Sequence, residues 1–210
     1  MANETRITLE ELESVLFEKF KKHGMGEEEA RQTASIFAFN AGDGVISHSV
    51  LRVKRLLGHL DSGLVVPGRV PVLLSGFGGI ERYESNRSAG TTSGVFCARR
   101  AFHLAKEHGI GMVALRDANH WMRGGYYGWL AAEEGLVYIS WTNTIPNLPS
   151  WGSKVKNIGN NPFVMAVPNK DGNHMVLDMA MSQFSNGKLE VTRRAGKLLP
   201  VDGGYNEEGE

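Results

Sequence analysis

The chain has 210 residues, of which 41% are hydrophobic and 9% aromatic, so it is long enough to bury a core and is not expected to be disordered. Its 23 acidic and 23 basic residues balance, which excludes a summed field that would attract nucleic acid or an anionic membrane surface. The N-terminus lacks the pattern of a signal peptide and no later apolar run reaches membrane-spanning length, so we expect a cytoplasmic protein without a membrane segment.

Three helices are predicted at the start of the chain. Thr8 and Glu11 have the spacing of a capping box, in which hydroxyl and carboxylate satisfy free N–H groups at a helix start. Apolar residues then recur at helical spacing up to His23-Gly24: Leu9, Leu12, Leu16 and Phe20. A second helix is predicted from 27 to 39 and a third from 47 to 60. Together these helices predict a helical N-terminal unit over residues 1–70.

The remainder, 71–210, is predicted to form a mixed α/β body, because strand and helix patterns alternate after residue 63. The predicted helices span 89–108 and 126–134, and the predicted strands span 111–115, 137–141, 163–167 and 175–177. Residues 201–210 form a polar, turn-rich end in which no closing helix or strand is predicted.

Ser47, His48 and Arg52 form the first candidate site. On one helix, His48 and Arg52 would project from the same face one turn apart. The imidazole could then protonate a small anion while the guanidinium holds its carboxylate. The same residues also fit an ordinary helix start, with Ser47 as its cap and Arg52 in solvent, and spacing alone favours this alternative.

A second candidate site is the loop that follows the strand 111–115. Loops at the carboxyl ends of strands are where open α/β sheets bind ligands, and here Asn119 and His120 could orient a polar substrate. Gly124 and Gly125 would let backbone approach a ligand closely. A simple turn with Trp121 in the core explains the sequence equally well.

Other polar residues and motifs leave the chemistry open. Gly159 to Pro162 is typical of a turn, and Asp178 at a strand end could orient a histidine or cap a turn. Cys97 is the single cysteine and is interpreted as a small core residue. The sequence has no G-x-G-x-x-G fingerprint, phosphate-loop lysine, G-x-S-x-G elbow or zinc-type histidine spacing, which disfavours those enzyme classes.

Taken together, four segments resemble the malate/L-lactate dehydrogenase family that lacks a Rossmann fold. These segments are Ser47 to Arg52, HGIGMVALRDANHWMRGGYYGWLAAEEG, Ile158 to Pro162 and Leu177 to Ala180. Within the family they look most like the reductases of a diketo sugar acid. The resemblance implies a mixed α/β, non-Rossmann fold and a homodimer. It also implies reduction of a small 2-oxo acid to a 2-hydroxy acid with NADH, NADPH being the alternative cofactor.

The resemblance also implies roles for individual residues. It places the family's catalytic histidine on His48 and the nearby arginine on Arg52. It places the segment that lines the cofactor on His174, Met175, Val176, Leu177, Asp178, Met179 and Ala180. From the chemistry of the residues we add Asp178 and Ser47 to the catalytic residues, Asn119, His120 and Arg52 as substrate-binding residues, and His120, Asn161 and Pro162 as cofactor-binding residues. No metal ligand is predicted.

Two departures from the family pattern qualify these expectations. Ser49 stands where the family usually has glycine, which predicts an added side chain near the reactive centre. Family members also continue well past the length of this chain, so we expect a chain truncated at Glu210 with an incomplete cofactor site. The alternatives are a related dehydrogenase acting on malate, lactate, sulfolactate, ureidoglycolate or a cyclic imino acid, and an inactive fragment that only associates with a partner chain.

Overall fold

A computed structural model describes residues 6–202, in which helices and strands alternate as expected for a mixed α/β fold. The helices are α1 (Leu9–Lys22), α2 (Glu27–Gly42), α3 (Val50–Asp61), α4 (Gly90–His108), α5 (Gly125–Glu133) and α6 (Asn186–Arg194). The strands are β1 (Val72–Phe77), β2 (Ile80–Glu84), β3 (Met112–Arg116), β4 (Tyr138–Trp141), β5 (Leu148–Pro149), β6 (Lys156–Ile158), β7 (Phe163–Val167) and β8 (Met175–Met179).

The chain packs as two compact units, Met1–Tyr127 and Gly128–Glu210. The domain division predicted from composition, at residue 70, stays a prediction. No helix in the described part of the chain is both long and apolar enough to span a bilayer.

The predicted capping box is present at the start of α1. The Thr8 hydroxyl accepts the Glu11 N–H at 3.1 Å, and the Glu11 carboxylate accepts the Thr8 N–H at 2.8 Å. The apolar face of α1 is buried against α2, and the rings of Phe20 and Phe37 meet edge to face with centroids 5.4 Å apart. Local capping and apolar spacing therefore account for this helix pair.

The third predicted helix, 47–60, is wrong in its first turn. Ile46–His48 form a 3₁₀ turn, and α3 begins only at Val50. Ser49 lies between them with φ −134° and ψ −116°, which is not a helical conformation. His48 and Arg52 are therefore not neighbours on one continuous helix.

The first sheet places two loops at one edge. β1 pairs antiparallel with β2, and β2 pairs parallel with β3 through the crossover helix α4. The start of α4 and residues 117–124 consequently both follow carboxyl ends of adjacent parallel strands. Arg100 on α4 holds Glu81 on β2 through two hydrogen bonds of 2.7 and 2.6 Å, which fastens this helix to the sheet.

The second sheet has the antiparallel order β4-β7-β8. Its covered face packs on α5, where a side chain at Gly128 would lie within 3.3 Å of Val164, Ala166 and Val176. Its other face carries exposed apolar residues in register, including Ile139, Met165 and Leu177.

α6 was not predicted from the sequence; Ser185 caps it by accepting the Lys188 N–H at 3.2 Å. The turn-rich end predicted for 201–210 lies outside the described residues from 203 onward.

Candidate active site

Ser47, rather than helical spacing, brings His48 and Arg52 together. Its hydroxyl lies 3.0 Å from His48 Nδ1, and its carbonyl oxygen accepts a hydrogen bond from Arg52 Nε at 3.1 Å. The alternative role of Ser47 as a helix cap is wrong, because the residue before α3 is Ser49 and no side chain caps that helix. The prediction that the imidazole and the guanidinium share one helix face is therefore wrong. Contacts with Ser47 hold the two side chains instead.

The backbone of the His48 segment is fixed from α2. Buried Asn40 donates from Nδ2 to the His48 carbonyl oxygen at 3.0 Å. The Ser49 hydroxyl is fully buried and donates to the Phe37 carbonyl oxygen at 2.6 Å. The side chain that replaces the family glycine is thus directed into α2, which corrects the expectation of an added side chain at the reactive centre.

The Asn119-His120 loop is held against the start of α4. The Asn119 amide donates to the Ser88 carbonyl oxygen at 2.9 Å, and its second contact is with Leu64 O at 3.5 Å. A Cβ at Gly90 would lie only 2.3 Å from the His120 carbonyl oxygen, so only glycine permits this approach. Both of these contacts use Nδ2 of Asn119, and the residue also lines a pocket of the first unit.

Aromatic and ionic contacts fix the rest of this loop. Tyr127 is fully buried, donates from its hydroxyl to the Trp121 carbonyl oxygen at 2.7 Å and stacks on the Trp121 ring. Arg123 forms an ion pair with Asp43 at the end of α2. Trp121 itself is only half-buried, so the alternative of a simple turn with Trp121 in the core is wrong on this point. The loop that these contacts hold contributes Asn119 and His120 to the pocket.

These elements line a pocket in the first unit that is open to solvent, and its volume of about 310 Å³ includes part of that open solvent. Its polar lining consists of Arg52, Arg55, His59, Asn119 and His120. Its apolar lining consists of Leu56, Val65 and Met122, with Gly90 completing the wall. His48 is not part of this wall, but its ring centroid lies 5.6 Å from that of His120. The structure therefore brings together five sequence-predicted residues: Ser47, His48, Arg52, Asn119 and His120.

His120 is held as a neutral imidazole with a defined tautomer. Its Nδ1 accepts the Met122 N–H at 3.0 Å, so the proton of the neutral ring resides on Nε2. Met122 reaches this position with φ +69°, an unusual conformation for a residue other than glycine. The ring is accessible at the pocket, but the dense protein around it and the charges of Arg52 and His48 lower the pKa of His120 to about 3.

The residues predicted to bind a cofactor lie in the second unit, apart from His120. β7 and β8 pair so that Val164 lies opposite Asp178, and the Met181 N–H donates to Asn160 O at 2.9 Å. The end of β8 thus lies beside the Asn160-Asn161-Pro162 turn, which Thr144 holds by donating to both asparagine Oδ1 atoms. Val164 pairs with Asp178 on one side and with Ser140 of β4 on the other. The Oγ of Ser140 is buried and has no hydrogen-bond partner among the described residues.

Sequence reasoning missed Arg55 and His59, and Cys97, interpreted as a core residue, is only half-buried. Arg55 and His59 recur at three and seven residues from Arg52, a spacing that alone would have placed them on one face of α3. Burial raises the pKa of the Cys97 thiol to about 12, so it is a poor nucleophile. The roles predicted for Asp178 and for the cofactor-binding residues remain predictions.

Comparison with known proteins gives consistent matches. The sequence pattern of the family described as malate/L-lactate dehydrogenase matches residues 7–210. The 2,3-diketo-L-gulonate reductase of Salmonella paratyphi B is 43% identical over 205 residues, covering 98% of this chain and 61% of that protein. The chain thus spans about three fifths of the length of this curated relative.

Solved structures agree in fold. The malate dehydrogenase of Pyrococcus horikoshii OT3 matches with TM-score 0.86 and 33% identity over 90% of this chain and 54% of that one. The delta1-piperideine-2-carboxylate reductase of Pseudomonas syringae matches with TM-score 0.90 and 26% identity, covering 98% and 62%. The sulfolactate dehydrogenase of Methanocaldococcus jannaschii matches with TM-score 0.88 and 27% identity, covering 97% and 59%.

Proposed function

Because the chain belongs to the malate/L-lactate dehydrogenase family, we propose that it serves the reduction of a small 2-oxo acid to a 2-hydroxy acid. The relative at 43% identity makes 2,3-diketo-L-gulonate the first substrate to test. Malate, lactate, sulfolactate, ureidoglycolate and a cyclic imino acid define the related alternatives. We further propose that the protein works as a cytoplasmic homodimer.

One observation carries the assignment of the acid: two imidazoles stand 5.6 Å apart, and one of them is held neutral. Protonation of His120 on Nδ1 would break its bond with the Met122 N–H, so His120 is a fixed Nε2–H donor and not the acid. His48 is therefore the proton donor. Its Nδ1–H can donate to the Ser47 hydroxyl in the protonated ring, which leaves Nε2–H for the substrate.

Three further side chains of the pocket, Arg52, His120 and Asn119, are proposed to bind the substrate. Arg52 binds the substrate carboxylate, because a guanidinium offers paired N–H donors to two carboxylate oxygens. His120 donates from Nε2 to the carbonyl oxygen, and Asn119 accepts a substrate hydroxyl on Oδ1. Proton donation by His48 as negative charge develops on the carbonyl oxygen accounts for about 10²–10⁴-fold of the rate.

A nicotinamide cofactor fits the polar groups of the second unit. The turn at Asn161-Pro162 beside the end of β8 offers amide groups, and the buried Ser140 hydroxyl on the same sheet has no hydrogen-bond partner among the described residues. We assign the cofactor to the segment His174 to Ala180 with Asn161 and Pro162. When bound, the cofactor supplies the hydride to the carbonyl carbon. NADH is the proposed form of the cofactor.

The proposal is tested by following NADH absorbance with purified protein and a panel of 2-oxo acids that includes 2,3-diketo-L-gulonate. We expect substrate-dependent oxidation that the His48→Asn variant lacks. NADPH in a parallel series separates the two cofactors. Absence of oxidation with every acid and both cofactors contradicts the proposal.

The alternative function is a binding-only role, in which the protein only associates with a partner chain. Titration of NADH into the protein, followed by nucleotide fluorescence, separates this role from the first. Saturable NADH binding supports the enzyme. Failure to saturate, together with a stable association of chains in analytical ultracentrifugation, supports the binding-only role.

A further inference from the structure

The side of α3 that faces the pocket carries more positive charge than a 2-oxo carboxylate requires. Arg52, Arg55 and His59 line the same wall at spacings of three and four residues. At 1.5 Å rise per residue, the wall from Arg52 to His59 extends about 10 Å along the helix. A three-carbon acid held by Arg52 cannot occupy all of it.

In the described part of the chain, no hydrogen bond or ion pair holds the Arg55 side chain in place. Among the described residues no carboxylate forms an ion pair with it, whereas Arg100 and Arg123 have Glu81 and Asp43. Its side chain is exposed at the pocket, and its charge is one of those that lower the pKa of His120. Two guanidinium groups on one wall repel each other, so the arrangement favours a ligand that brings oxygen acceptors to both.

The pocket wall combines apolar residues with polar ones. Leu56 and Val65 supply an apolar surface between the polar groups, which suits a carbon chain lying along α3. His59 is half-buried at the far end, where it can donate to or accept from a hydroxyl or carboxylate.

We propose that Arg55, assisted by His59, is a specificity-determining residue that binds oxygen-bearing groups at the end of the substrate distal to its 2-oxo carboxylate. Resting on the proposed function, this narrows the substrate class to 2-oxo acids longer than three carbons with a polar tail. The shared chemistry is a set of hydrogen-bond acceptors on the tail. These acceptors are either hydroxyls, as in a sugar acid, or a second carboxylate.

The test uses three six-carbon acids of matched length: 2-oxohexanoate with an apolar tail, 2-oxoadipate with a distal carboxylate and 2-keto-L-gulonate with hydroxyls. Binding to the full chain is measured by isothermal titration calorimetry, with pyruvate as the short reference. We expect the wild type to bind at least one polar-tailed acid about tenfold or more tightly than 2-oxohexanoate, as hydrogen bonds to a charged group predict. The favoured tail identifies hydroxyls or carboxylate as the natural group.

Arg55→Met should abolish that preference, so that the polar-tailed acid, 2-oxohexanoate and pyruvate bind the variant with affinities within about threefold of one another, whatever common effect the lost charge has on all of them. Arginine and methionine have similar helix propensities, so α3 should persist, which circular dichroism checks. Lys54→Met is the matched control, because Lys54 is exposed on the same helix and does not line the pocket. It should leave all four affinities unchanged.

Equal wild-type binding of the three six-carbon acids, or an unchanged tail preference in Arg55→Met, overturns the inference. The wild-type ranking alone decides this if the variant does not fold. Turnover is measured separately by NADH absorbance. Tail-selective binding without turnover supports this inference and contradicts the proposed function. Turnover without tail selectivity supports the proposed function and contradicts this inference.

Discussion

Replacing Gly90 by alanine should disturb the pocket through a contact that is fully specified by the structure. The new Cβ would lie 2.3 Å from the His120 carbonyl oxygen and 2.4 Å from that of Asn119, whereas an ordinary contact begins at 3.4 Å. The Asn119-His120 backbone or the start of α4 must therefore move by about 1 Å, the difference between 3.4 and 2.3 Å. Overpacking of this kind costs about 1–3 kcal/mol of the free energy of unfolding.

The same movement would displace Asn119 and His120 from the pocket. A misplacement of about 1 Å in a positioned group lowers turnover by about 100-fold. Urea unfolding measures the stability, and NADH oxidation with the preferred 2-oxo acid measures kcat/KM. Both should fall in Gly90→Ala.

Gly58→Ala provides the matched control. Gly58 is a helical glycine of α3 in the same unit, and an added Cβ there would meet no atom within 4 Å. Alanine should stabilise this helix by about 0.5–1 kcal/mol with unchanged kinetics. If Gly90→Ala unfolds and turns over like the wild type, the reasoning from this close approach is refuted.

Further expectations concern titration and reactivity. Hydrogen bonds from Arg100 hold the pKa of Glu81 below its ordinary value, so this pair stabilises the fold above the unfolded pKa and the contribution is lost as pH falls through the folded pKa. Glu81→Gln should therefore lower the free energy of unfolding by about 1–2 kcal/mol at pH 7 and by less in acid. Urea unfolding at several pH values measures this difference, and an equal loss at pH 3 would contradict a stabilising ion pair. His120 should keep the ¹⁵N shifts of a neutral Nε2–H ring from pH 8 to pH 5, and a titration midpoint near its ordinary pKa would contradict its neutrality. Cys97 should resist Ellman's reagent in the native protein and react after unfolding, because burial raises its pKa to about 12; rapid native labelling would show that the thiol is open.

Local sequence patterns predicted most elements because their causes are local. The capping box at Thr8 and Glu11 and the apolar spacing of α1 involve residues within one or two turns of each other. The break at Ser49 could not be predicted in this way. It accompanies a hydrogen bond to Phe37, twelve residues earlier, and a long-range contact of that kind leaves no periodic signal. α6 escaped prediction because Gly187 and a largely polar sequence give it a weak helical pattern.

The candidate site was predictable in composition and not in geometry. His48, Arg52, Asn119 and His120 were all identified, but the interactions that arrange them were not. Ser47 bridges His48 and Arg52 through its hydroxyl and its carbonyl oxygen, a contact that replaces the expected shared helix face.

The neutral state of His120 was equally hidden from the sequence. Its cause is burial together with the charges of Arg52 and His48, and the tautomer is set by the Met122 N–H, which donates to the ring from a residue with positive φ. Glycine or asparagine would have signalled such a conformation, and methionine does not. Arg55 and His59, in contrast, could have been found by extending the helical spacing from Arg52 along α3.

The central claim, that His48 donates the proton while His120 stays neutral, is tested most directly by single-turnover NADH oxidation in His48→Asn. Asparagine preserves a hydrogen-bonding side chain but cannot transfer a proton at neutral pH. We predict a rate lower by about 100-fold or more, with the dissociation constant for NADH within about twofold of the wild type. A variant that oxidises NADH at the wild-type rate would contradict the assignment of His48 as the proton donor.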